Sequence, residues 1–80
     1  MTQSRYTRAI NVIRKAYENN NRQPLSPEET QIALEITPGL MFPRGTTLER
    51  VLIKLESWKL IQRGKEKNPT TRTIIPLYPS

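Results

Sequence analysis

Thr46-Thr-Leu-Glu-Arg-Val-Leu-Ile-Lys-Leu-Glu-Ser-Trp-Lys-Leu-Ile-Gln-Arg63 changes its hydrophobic period once, near Trp58. Before that point Leu48, Val51, Leu52, Leu55 and Trp58 recur at helical spacing and form one apolar stripe. Arg50, Ile53 and Ser57 fall near the centre of the opposite face. The spacing predicts an amphipathic helix with a defined outer side. Thr46 followed three residues later by Glu49 reads as a capping box, in which hydroxyl and carboxylate each satisfy an amide of the first turn. Past Trp58, Leu60-Ile61-Gln62-Arg63-Gly64 has strand character. A charged, turn-rich loop from Gly64 to Thr71 follows, and Arg72-Thr-Ile-Ile-Pro-Leu-Tyr78 is a second strand. Helix and then hairpin is the expected order.

Upstream, Tyr6, Ala9, Ile10, Ile13, Ala16 and Tyr17 predict a first helix from Arg5, ended by Asn19-Asn20-Asn21. Its basic residues Arg5, Arg8, Arg14 and Lys15 read as a solvated face, with phosphate contact as the alternative. Gln23-Pro24-Leu25 is an extended connector. Ser26-Pro27-Glu28-Glu29 starts a second helix, with Ser26 as N-cap, Pro27 at the first helical position and Glu29 closing a capping box. That helix is expected to run to about Ile36 and to bury Ile32, Ala33 and Ile36, with Leu34 at an edge. Pro38-Gly39 fits a type II turn, and Pro43 and Gly45 forbid a long regular element in the connection from Thr37 to Gly45. Leu40, Met41 and Phe42 within it either plug the core or form a partner contact.

The order Leu48, Leu52, Leu55-Glu56, then Leu60-Ile61 and Arg63, resembles the end of a winged helix-turn-helix domain. The resemblance covers residues 46 to 77 best. It implies an α+β fold, mainly α, with three helices followed by a β-hairpin wing, and one domain over 1–80 with flexible tails at 1–4 and 78–80. In that family a short strand at the position of Leu25 often pairs with the wing. Many relatives carry glycine where Lys59 stands, since the chain leaves the helix there in a left-handed conformation that costs other residues about 1 kcal/mol.

The resemblance implies duplex DNA as partner, with the third helix in the major groove. Arg44, Thr46, Thr47 and Arg50 then hold the reading positions, with Lys54 and Ser57 farther along. Arg50 is the best candidate for base readout, because its planar fork matches guanine O6 and N7. Arg63, Lys65, Lys67 and Arg72 in the wing are placed to contact phosphate or the minor groove. Glu49 and Ile53 share the outer face and weaken its fit to DNA. A protein-interaction module is the alternative, with Met41, Phe42 and Ile53 as a partner or homodimer surface. The expected role is that of a transcriptional regulator or accessory DNA-binding factor.

Composition narrows the classes further. Eighty residues with 35% apolar content leave little room for an enzyme cleft. Cysteine, histidine and aspartate are all absent, which removes disulfides, the common metal ligands and the usual general bases, so neither a metal, a cofactor nor an enzymatic role is expected. No apolar run approaches the ~20 residues of a membrane helix. A cytoplasmic protein is the expectation, nucleoid-associated if it binds DNA. The net charge of +6 favours an anionic partner. Residues 5–22 and 59–72 each carry five Lys/Arg and one Glu, whereas 23–43 carry three Glu and no base.

Overall fold

The computed structural model describes residues 4–78 and contains three helices followed by a two-stranded antiparallel hairpin. The helices are α1 (Arg5–Asn19), α2 (Pro27–Glu35) and α3 (Leu48–Ser57); the strands are β1 (Ile61–Arg63) and β2 (Ile74–Pro76). None of these helices is long and apolar enough to cross a membrane. The expected tails lie partly outside the described residues, at 1–3 and 79–80. Ser4 and Tyr78 lie within the described residues. The Ser4 side chain caps α1 by accepting from the Thr7 amide, and Tyr78 lies under the Arg14 guanidinium, 5.4 Å from its ring centroid.

Each element starts and stops for a local reason. Asn20 closes α1, and Asn21 and Arg22 then adopt φ of 57° and 58°, a left-handed pair that turns the chain back. Ser26 and Glu29 form the expected capping box of α2: the Ser26 amide donates to Glu29 Oε1, and the Glu29 amide donates to Ser26 Oγ. At the end of α3, Lys59 takes φ 60°. The Leu60 amide then donates to the Leu55 carbonyl and the Lys59 amide to that of Glu56, which is the Schellman pattern.

The core joins one face of each helix to the hairpin. Ala9, Ile10 and Ile13 of α1, Leu34 of α2, Val51, Leu52 and Leu55 of α3, and Leu25, Ile61 and Ile74 are all buried. Ile61 pairs with Pro76 and Arg63 with Ile74, and Leu25 bridges the other side of Ile74 through two backbone hydrogen bonds. Ile74 is thus flanked on both sides, while the neighbouring Ile75 stays half-buried. Pro76 closes the ladder at its end, where no amide is needed.

Four sequence expectations are corrected here. Thr47, not Thr46, caps α3: its hydroxyl accepts from the Arg50 amide at 3.2 Å. Trp58 leaves the apolar stripe, because the helix ends at Ser57, and its ring stands half exposed, edge-on to Tyr6. The face of α2 is reversed. Thr30 and Leu34 point inward, while Ile32 and Ile36 are 53% and 74% exposed. A buried Thr30 is tolerable because its hydroxyl donates to the Ser26 carbonyl at 3.0 Å. Leu40 and Phe42 from the α2–α3 connection pack against the core, but Met41 is 77% exposed. Arg8 fastens that connection from α1 by donating to the carbonyls of Gly39 and Pro38 at 2.9 and 3.0 Å, so it is no free solvated side chain.

Candidate nucleic-acid interface

Burial of Val51, Leu52 and Leu55 turns Arg50, Ile53, Lys54 and Ser57 outward on the opposite side of α3. Together with Thr46 and Tyr6 these four line a shallow depression of about 380 Å³. Arg50 is exposed and has no partner among the described residues, so its guanidinium is available to an outside acceptor. Lys54 is less free: its ammonium lies 5.3 Å from the Tyr6 ring centroid and 5.8 Å from that of Trp58. Ser57 Oγ donates back to the Lys54 carbonyl at 2.7 Å, which leaves only its lone pairs for a ligand. Arg44 and Thr47 are exposed at the entrance to α3, and Thr46 is half-buried there.

Arg63 is the main correction to the expected site. Its side chain is only 2% exposed and forms a bidentate pair with Glu49, at 2.8 and 2.9 Å. One amino group also donates to the Pro69 carbonyl at 2.9 Å. A guanidinium committed in this way cannot contact phosphate. The hydrogen bond from Arg63 holds the Glu49 carboxyl below its ordinary value despite some desolvation, and the same bond raises Arg63. Glu49 therefore does not form the expected capping box with Thr46. Instead, the first turn of α3, strand β1 and the 3-10 turn Pro69–Thr71 are clamped together by one side chain.

The clamp brings the hairpin loop beside the N-terminal turn of α3. Lys65 and Lys67 are exposed on that loop, and Arg72 braces it by donating from Nε to the Glu66 carbonyl at 2.8 Å. The remaining amino groups of Arg72 still project positive charge, which contributes to the lowering of Glu49. Residues 44–72 contain eight Lys/Arg and three Glu, so +5 of the net +6 lies on α3, its entrance and the hairpin.

Sequence reasoning placed Arg50, Lys54, Lys65 and Lys67 on the surface, where they lie. It missed the Glu49–Arg63 clamp and the part of Tyr6 in the depression. Neither has a local signal: Arg63 lies fourteen residues from its partner, and the Thr46-x-x-Glu49 pattern offered Glu49 a nearer one. Phe42 is half-buried against Tyr6, with ring centroids 5.6 Å apart, so of the three residues expected at a partner surface only Met41 and Ile53 are exposed. No family model, curated protein or solved structure matches the chain.

Proposed function

We propose that this chain binds double-stranded DNA, with the outer face of α3 in the major groove and the hairpin loop on flanking phosphates, as a transcriptional regulator or accessory DNA-binding factor. The observation that carries this proposal is the Glu49–Arg63 clamp, which holds a loop bearing Lys65, Lys67 and Arg72 against the first turn of the helix that displays Arg50. A helix of ten residues is about 15 Å long and 10–12 Å across, which suits a major groove roughly 12 Å wide. Glu49 would repel phosphate as a free carboxylate. Paired with Arg63 it is neutralised, which removes the strongest objection to this face. The order of three helices and a hairpin also fits the winged helix-turn-helix resemblance.

In this arrangement Arg50 reads guanine, Ile53 offers an apolar contact to a thymine methyl, and Arg44, Lys65, Lys67 and Arg72 neutralise phosphates. Replacing Arg50 with Ala should lower binding to a selected duplex site by ~10-fold or more while changing binding to random duplex far less. Equal losses on both duplexes would contradict the readout role. Exposure of Ile53 and Met41, at 52% and 77%, favours a second reading in which α3 and its entrance meet a protein. Under that reading Arg50→Ala leaves duplex binding untouched.

A further inference from the structure

The reversed face of α2 leaves an apolar surface uncovered on the side formed by α1 and α2. Two shallow depressions of about 430 and 360 Å³ meet there, and Ala16, Ala33, Asn19 and Ile36 line both. Ile32 adds to the second and Val12 to the first. Ile36 is 74% exposed and Ile32 53%, although aliphatic side chains of this size usually find cover. No residue of α3 or the hairpin lines either depression.

The charges on this surface are ordered. Among the described residues, Lys15 is the one charged residue lining the first depression, and Glu29 is the one lining the second. Glu29 spends Oε1 on the Ser26 amide in its capping box, which leaves Oε2 for an outside donor. A patch that is basic at one end, acidic at the other and apolar between is complementary to itself under a two-fold rotation. Two copies related in this way place Lys15 of each beside Glu29 of the other. The same rotation would set the apolar lining formed by Ile36, Ala16 and Ala33 of each copy against that of the other, so one patch supplies both sides, as an isologous interface requires.

We propose that this surface joins two copies of the chain into a symmetric dimer. The inference does not depend on duplex binding, and the dimer leaves both α3 faces and both hairpin loops open. Because Ile36 and Lys15 are exposed, they can be changed without disturbing the core.

Sedimentation velocity over a micromolar to millimolar range, with circular dichroism to verify folding, tests the proposal. The wild-type chain should sediment at twice its 9.3 kDa mass. Ile36→Glu should weaken self-association by ~30-fold or more while the spectrum stays helical. Lys15→Glu should weaken it too, by setting glutamates against one another, and adding Glu29→Lys should restore much of the loss through the swapped pair. A wild-type chain that is monomeric even at millimolar concentration overturns the proposal. A dimer that survives Ile36→Glu also overturns it, as does a folded double variant that dimerises no better than Lys15→Glu.

Discussion

Arg63 separates what a residue type implies from what its surroundings allow. As a cation on a hairpin it is a natural phosphate ligand, yet burial against Glu49 and the Pro69 carbonyl makes it a structural clamp. The Glu49 side chain is still 39% exposed, so solvent screens part of the attraction, whereas Arg63 would be left buried without its partner. Glu49→Gln should therefore destabilise the fold by about 1–3 kcal/mol at neutral pH, as measured by urea denaturation. The pH dependence has a definite sign. A carboxyl lowered in the folded state contributes stability at neutral pH, and that contribution fades as the pH falls from the ordinary value of 4.5 through the lowered folded one. Wild type should lose stability across that acid window, and Glu49→Gln should lose less. Parallel pH profiles would mean that the clamp adds nothing in solution. Thr46 and Thr47 separate as clearly. Thr47→Ala should cost ~1 kcal/mol through the lost cap, while Thr46→Ala should stay within about 0.5 kcal/mol; the reverse order would return the cap to Thr46.

Among the elements, α1 and the hairpin were legible because their patterns are long or bounded by strong turn signals. The position of Leu25 beside the hairpin was legible from the winged-helix resemblance, and it is observed as a bridge to Ile74. The face of α2 was not. Over α2 and its C-cap, Ile32, Ala33 and Ile36 make a more apolar face than Thr30 and Leu34, and hydrophobicity alone favours the former. Nothing in the sequence reveals that Thr30 can be buried, since that depends on its hydroxyl finding the Ser26 carbonyl. Trp58 was misplaced for a related reason: a stripe extrapolates past Ser57, but the backbone does not. The left-handed residue expected after the helix is present at Lys59 with φ 60°. Lys59→Gly should relieve that strain and stabilise the fold by about 0.5–1 kcal/mol, read as a rise of roughly 2–8 °C in Tm. An unchanged or lower Tm would mean that lysine contacts at this position outweigh the strain.

Across the whole molecule, the net charge is unevenly distributed. The segment from Arg44 to Arg72 carries +5 of the net charge, while exposed Ile32 on α2 and Ile36 at its C-cap lie outside it. The charge excess was readable from the sequence. The surface that it occupies was not, because that surface depends on the clamp which folds the hairpin loop against α3. Phosphate contacts release counterions, so a cationic face of this kind should bind duplex with an affinity that falls steeply with salt. Titration of a labelled random-sequence duplex and a matching single strand against the protein at several salt concentrations, with Lys65→Ala/Lys67→Ala in parallel, measures that release. Duplex should bind more tightly than single strand, and the double variant should reduce the slope of log Kd against log salt by about 2. Absence of duplex binding at low salt would contradict DNA recognition by this face, and an unchanged slope in the double variant would remove the hairpin loop from it.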